Sequence, residues 1–380
     1  MLEHLINVFR RRMTKKARRD IAFAKKQVLI QNAYDVSALQ SAKKIVVFVI
    51  PPKIDVYGGL MSFFSLCEKS REALGDSALT IVATCPWHYL GQVLTHSENK
   101  RFPNNERIYR FEQLTEHADH VRELILHIPE IYAKDFYGKC TKQDLAFIQG
   151  IPDVHINILL QNIDLMPPLE TLSALYSLTD KLTLTTAHSR YATQEVANKW
   201  GVPLKHVSVH IDISQFPTIP FDQKENLIVF SRDDHPAKEL IGNIIQESLP
   251  EYDIVTVRNM SFYEYMALIS RARFSITFGE GFDGYFVQPY GVGSMGLSVY
   301  NDRFFPDASY KTMRTVYASY EEMAITLKDD VRFWETHPDA YTEFVAASKK
   351  RFDAIFINDD VLNNFKKFYM GDYDFYPNKP

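Results

Sequence analysis

The sequence predicts an α/β protein of two doubly wound domains in tandem, on three observations. Short apolar runs alternate with helical patterns from Lys44 onward, as they do where parallel strands are joined by crossover helices. The alternation breaks at Phe216-Pro-Thr-Ile-Pro-Phe221, a segment of little periodicity, and then starts afresh. A chain of 380 residues also exceeds what one hydrophobic core usually serves, which favours two domains of roughly 150–200 residues each.

In the first domain Ile45–Ile50, Leu79–Thr84, Leu124–Ile128 and His155–Leu160 read as strands. Between the first two, Tyr57–Leu74 carries Leu60, Phe63, Phe64 and Leu66 at helical spacing, entered through Gly58-Gly59. Leu182–Thr186 follows as a strand and Ala192–Trp200 as a helix, and the series ends in Val207-Ser-Val-His-Ile-Asp212. Beyond the break, Leu227–Ser231, Tyr252–Val257, Phe274–Thr277 and Leu297–Tyr300 read as strands, with helices over Ala237–Ser248 and Ser261–Ala272. Tyr341–Phe368 is helical and gives way to an aromatic, polar tail. The expected plan is a basic helical segment over 1–40, domains over 41–217 and 218–345, and a helix and tail over 346–380 that packs back on the first domain.

Hydrophobic content of 46% with 13% aromatic residues supplies two packed cores and excludes a disordered chain. The formal charge of −4 is unevenly spread: residues 1–30 hold nine Lys/Arg against two Asp/Glu, leaving about −11 for the rest. Cys67, Cys85 and Cys140 are odd in number and form no CxxC, so neither a disulfide framework nor a cysteine metal site is indicated. A reducing compartment fits, and with no long apolar run and no secretory signal the expected location is cytoplasmic. Arg10-Arg-Arg-Met-Thr-Lys-Lys-Ala-Arg-Arg19 follows an apolar stripe of Leu2, Leu5, Ile6 and Phe9, a pattern that can lie on an anionic membrane surface. Phosphates of nucleic acid attract the same charges, but the body is acidic and carries no aromatic-interleaved basic patch, so no nucleic-acid partner is expected. A solvated helix without a partner is the plainer alternative.

Ligands of parallel sheets sit beyond the carboxyl ends of the strands, where loops and helix starts present backbone N–H groups. Three loops fall at such places. Pro51-Pro-Lys-Ile-Asp-Val-Tyr-Gly58-Gly59 lets a phosphate or sugar approach the backbone, or is simply a compact helix entry; it is not GxGxxG. Phe230-Ser-Arg232-Asp-Asp-His-Pro-Ala-Lys238 places two cations near a helix start, suited to a diphosphate or to surface ion pairs. Asp233, Asp234 and His235 are adjacent rather than on one helical face, so no metal is assigned to them. In Thr277-Phe-Gly-Glu-Gly-Phe-Asp-Gly-Tyr-Phe-Val-Gln-Pro289, Glu280 can accept from sugar hydroxyls while the N–H groups of a helix beginning near Tyr285 face anionic oxygens. A capping or turn acid is the other reading. Asp372-Tyr-Asp374 reads as a solvated turn in the tail.

The ordered set, strand–Gly-Gly–helix, Ser-Arg-x5-Lys and Glu-Gly-Phe-x-Gly, resembles the retaining GT-B glycosyltransferases of the glycogen-synthase-like, bacterial-polysaccharide group over residues 44–330. Thr183-Leu-Thr-Thr-Ala-His-Ser189 and Val207-Ser-Val-His-Ile-Asp212-Ile-Ser-Gln-Phe216 are similar to that family's passage into its interdomain linker. The resemblance implies two Rossmann-like domains facing a cleft, a nucleotide-sugar donor on the second and an acceptor on the first, with no cofactor and no metal. It implies that Arg232 and Lys238 hold the donor diphosphate, that Glu280 contacts the transferred sugar, and that Gly58, Gly59, Gly281 and Phe282 help bind the donor. The second acid of the family's Glu-x7-Glu, which holds the ribose, is here Gln288, an amide with one acceptor oxygen and a donor NH2. His127 is similar in location to a first-domain histidine that reaches the sugar, with a satisfied loop histidine as the other reading, and His188 has a weaker claim to line the cleft. The expected activity is transfer to a glycan or lipid-linked acceptor in bacterial surface polysaccharide or lipopolysaccharide assembly, at the inner face of the membrane. A non-catalytic scaffold of the same architecture and a sugar-nucleotide epimerase are the rivals.

Overall fold

The computed structural model describes residues 15–50, 58–84, 86, 107–208, 213, 215–258, 260–356 and 360–378. These form two compact units, one of the described residues up to 208 together with 360–378, the other of those from 213 to 356. The first holds a seven-stranded parallel sheet of β1 (Lys44–Ile50), β2 (Leu79–Thr84), β3 (Ile108–Arg110), β4 (Glu123–Pro129), β5 (Asp153–Leu160), β6 (Lys181–Thr186) and β7 (Leu204–His206), in the order β3-β2-β1-β4-β5-β6-β7. The second holds β8 (Glu225–Phe230), β9 (Asp253–Thr256), β10 (Ala272–Ile276), β11 (Met295–Val299) and β12 (Val316–Tyr317), in the order β12-β11-β10-β8-β9. All the ladders between these strands are parallel, and helices separate most of them in sequence, so both sheets are buried on two faces. In β8 the alternation is plain: Ile228 and Phe230 enter one core of the second unit, Leu227 and Val229 the other.

The expected helix over Ala237–Ser248 forms over those residues, and Ser261 caps the helix Phe262–Arg271 by accepting from Glu264 N at 3.1 Å. Three boundaries differ from expectation. The join expected near 217 falls earlier, because Ile213 and Phe216 pack against the core of Leu227, Val229 and Tyr265 in the second unit. The second unit does not end at 345: the helix Pro338–Phe356 stays in it, with Phe352 packed on Phe286 and Tyr290. The single helical stretch expected over Tyr341–Phe368 is therefore two, and only the shorter, Val361–Tyr369, belongs to the first unit. There the tail is tied by an antiparallel bridge between Leu204 and Phe375 and by the ion pair of Lys205 with Asp374 at 2.7 Å. Asp374 also accepts from His206 N at 2.8 Å, so it is a tie for the tail rather than a solvated turn.

Of the basic arm, the apolar stripe and Arg10–Arg12 lie outside the described residues; Lys15–Arg19 open the helix Lys15–Asn32, where Lys15, Arg18 and Arg19 are exposed. No helix among the described residues is long and apolar enough to cross a membrane.

Candidate functional site

In the second sheet the strand order reverses between the parallel neighbours β8 and β10, the place where doubly wound sheets open a crevice at the carboxyl ends of their strands. The two loops that leave these strands are stitched together: Ser231 N donates to Ile276 O at 2.9 Å, and Phe278 N donates to Ser231 Oγ at 3.0 Å. Arg232 is exposed on the first loop. Lys238 braces that loop, its ammonium donating to the carbonyls of Ser231 (2.5 Å) and Asp233 (3.0 Å). A lysine has three N–H donors, so one is left for another acceptor.

On the second loop Glu280 is exposed and Gly281 turns the chain with φ +88. A Cβ at Gly281 would meet Val299 O at 2.6 Å, and Ser298 Oγ donates to Gly281 O at 2.7 Å, so only glycine fits this turn. Phe282, expected beside the donor, instead points inward: its ring packs on Phe305 at 5.3 Å and Tyr310 at 5.2 Å in the core. The loop thus shows a carboxylate to solvent and buries its aromatic anchor.

Asp283 corrects a second expectation. Its Oδ1 accepts from Tyr285 N (2.8 Å) and Phe286 N (3.1 Å), and its Oδ2 accepts from Thr277 Oγ1 (2.7 Å). The N–H groups expected to face anionic oxygens at the start of the helix Gly284–Gly291 are therefore capped by the chain itself. Gly279 sits between this carboxylate and another, since a Cβ there would lie 3.0 Å from Asp233 Oδ2 and 3.2 Å from Asp283 Oδ2. Burial, with Asp233 adding to it, raises the Asp283 pKa from 3.8 to about 6. A raised acid binds its proton more tightly in the folded state, so its contribution to stability is full below pH 3.8 and lost as pH rises through about 6. Asp283→Asn, which keeps a capping oxygen and no charge, is expected to flatten the pH dependence of the melting temperature across that window. An unchanged slope contradicts the assignment. Gln288 turns back along its own helix, its amide lying against Gly284, where a Cβ would meet it at 3.1 Å.

In the first unit Gly58 and Gly59 open the helix Gly58–Leu74, and Gly59 O accepts from Gln161 Nε2 at 3.0 Å; Pro51–Tyr57 lie outside the described residues. His127 is corrected as a sugar contact. It lies within β4, 2% exposed and stacked on Phe48 at 4.3 Å. Asn157 Nδ2 donates to its Nδ1 at 2.9 Å, which puts the ring proton on Nε2, facing Tyr369 OH at 3.0 Å. Tyr369 OH in turn lies 2.5 Å from Ser70 Oγ, so Tyr369 joins the helix Val361–Tyr369 to the sheet at His127 and to the helix Gly58–Leu74 at Ser70. Burial lowers the His127 pKa to about 3, and the ring stays neutral. His188 is half-buried beside Tyr191, its pKa lowered to about 4 by burial.

One acid went unassigned from the sequence. Glu130 follows β4 at the switch point of the first sheet, accepts from Asn162 N at 3.0 Å, and has its pKa raised by burial to about 7. Its position directly after a strand, as the first residue of a helix, was the available signal.

No family model matches the chain, and no curated protein matches it significantly in sequence. Among solved structures it is similar to Alr3699/HepE of Anabaena, solved in complex with UDP and glucose, at 10% identity and a TM-score of 0.55, covering 86% of this chain and 99% of that one. Looser likenesses are to the sucrose-phosphate synthase of Thermosynechococcus elongatus (TM-score 0.49, 10% identity, 86% and 98% covered) and to the UDP-GlcNAc 2-epimerase of Neisseria meningitidis (0.41, 10%, 86% and 98%). The first of these carries the comparison, and what it shows is the fold: two Rossmann-like α/β units in one chain, the GT-B architecture.

Proposed function

We propose that the protein is a glycosyltransferase that moves a sugar from a nucleotide-sugar donor held by its second unit to a glycan or lipid-linked acceptor. The observation that supports this best is the pairing of exposed Arg232 and exposed Glu280 on two stitched loops at the switch point of the second sheet. In this reading Arg232 meets the donor diphosphate with its planar fork, and Lys238 braces the loop and turns its remaining N–H to a phosphate oxygen. Glu280 accepts from the sugar hydroxyls. Transfer proceeds through an oxocarbenium-like transition state with retention, the leaving diphosphate gathering charge that the Arg232–Lys238 loop stabilises without a metal. The neighbour solved with UDP and glucose agrees with such a donor. The pathway is the assembly of bacterial surface polysaccharide or lipopolysaccharide, with the basic residues Arg10–Arg19 holding the protein on the anionic inner face of the plasma membrane.

A thermal-shift screen of UDP, GDP, dTDP and CMP sugars tests the donor. At least one is expected to raise the melting temperature, and Arg232→Ala to weaken that donor roughly tenfold or more, the worth of a charge-assisted hydrogen bond. Equal affinity in the variant removes Arg232 from the diphosphate. The second reading, a non-catalytic subunit of an assembly complex, is favoured by Asp283, which fills the helix N–H groups with a carboxylate, and by Gln288, whose amide lies back along its own helix against Gly284. It predicts that none of the donors is turned over.

A further inference from the structure

Along the helix Lys15–Asn32 the exposed cations Lys15, Arg18, Arg19, Lys25 and Lys26 fall three or four residues apart with Ala22 and Leu29, as one face of an α-helix requires. The register sets the one acid of the helix, Asp20, about 200° round from Arg18, off that face. We propose that this stripe rests on an anionic lipid bilayer as a fixed part of the first unit, and turns the β3 edge of its sheet toward the membrane. The inference deepens the attachment proposed for Arg10–Arg19 and rests on it: the contact runs on past Arg19 to Leu29, and it has one orientation.

The orientation comes from the last turn of the helix. Gln31 is buried, its Nε2 donating to Ile108 O of β3 at 2.8 Å and its own carbonyl accepting from Gln113 Nε2 at 2.9 Å. Arg110, the last residue of β3, donates through Nη2 to Asn32 Oδ1 at 2.8 Å, and Tyr34 packs edge-on against Tyr109 at 5.5 Å. At about 100° per residue Leu29 and Gln31 stand on opposite sides of the helix, and their exposures agree, 70% against 0%. The buried side is therefore pinned to the edge strand, and the cationic side is held away from the sheet. A face fixed in this way loses less freedom on docking than a loose arm would.

The side chains of the stripe select the partner. From Lys15 to Lys26 the cations spread along about 17 Å of helix, each adding roughly fivefold to affinity for an anionic membrane surface. Leu29 stands in line with them, an apolar side chain left in water. A bilayer takes such a residue into the boundary between headgroups and acyl chains while the cations meet the headgroups. Nucleic acid offers the same phosphates without an apolar layer, so the leucine among the cations favours lipid. In the sequence before this helix, Leu2, Leu5, Ile6 and Phe9 beside Arg10–Arg12 continue the same mixture of apolar and basic residues.

Co-sedimentation of the full chain with vesicles of phosphatidylcholine, alone or with about 30% phosphatidylserine, tests this. The anionic vesicles are expected to bind the chain at least about tenfold tighter than the neutral ones, a difference that about 1 M salt removes. Lys25→Glu with Leu29→Glu is expected to weaken binding to the anionic vesicles at least about tenfold. Both side chains are exposed, so the melting temperature and any nucleotide-sugar thermal shift should stay as in the parent. If the parent binds anionic vesicles and the double variant binds them equally well, the proposal is overturned and the attachment through Arg10–Arg19 stands. If the parent binds neither kind of vesicle, both fall, and the donor reading is still judged by its own thermal shift. Duplex DNA bound at least as tightly per phosphate as the anionic vesicles would give the stripe to nucleic acid and overturn the proposal.

Discussion

Gly296→Ala is expected to destabilise the second unit by about 3 kcal/mol or more, at the upper end of the cost of overpacking a core. Gly296 lies buried in β11, and a Cβ on it would overlap the carbonyl of Phe286, a backbone atom of the helix Gly284–Gly291 that no rotamer change can move aside. The helix would have to lift from the sheet, disturbing the Asp283 cap at its start and the packing of Phe286 and Tyr290 beneath it. For a unit of this size the melting temperature should fall by roughly 6–12 °C. Gly242→Ala is the control. Its Cβ would meet only Phe230 Cε2 at an ordinary 3.7 Å, within a helix where alanine is preferred, so its effect should be neutral or stabilising. Equal losses in the two variants would show that the close approach at Gly296 does not exist.

Glu280→Gln is expected to slow sugar transfer by about a hundredfold, in the range found when one preorganised electrostatic partner of a transition state is removed. Glu280 is exposed on a loop whose shape is set by its neighbours, by Gly281 at positive φ and by Phe282 in the core. The substitution should therefore leave melting temperature and nucleotide affinity close to those of the parent. A loss that appears wholly in nucleotide binding would move Glu280 from the sugar to the nucleotide.

The alternation of apolar runs and helical patterns made the two sheets legible, since two-sided burial leaves a strong signal in runs such as Ile45–Ile50. Strand β12, two residues long, and β3, three, are too short to show a period. His127 was misplaced for a different reason. It and Asn157 occupy buried positions that usually carry apolar side chains, and its partner Tyr369 lies 242 residues away, so nothing local marked the ring as satisfied. Asp283 is legible as a cap, since an aspartate just before a helix is a capping signal, although the glycines around it equally suit a ligand-binding loop. For Phe282, residue type names an apolar side chain without saying whether a glycine-rich loop turns it in or out. Packing on Phe305 and Tyr310 decides that.

The proposed activity requires the second unit to hold a nucleotide sugar for transfer. Its most direct measurement is release of nucleoside diphosphate from UDP, GDP, dTDP and CMP sugars (CMP from the last), with and without a lipid-linked glycan acceptor. At least one donor is expected to be consumed, faster with the acceptor present and more slowly in Arg232→Ala and Glu280→Gln. No consumption and no thermal shift with any donor, or return of the donor as an epimerised nucleotide sugar, would contradict it.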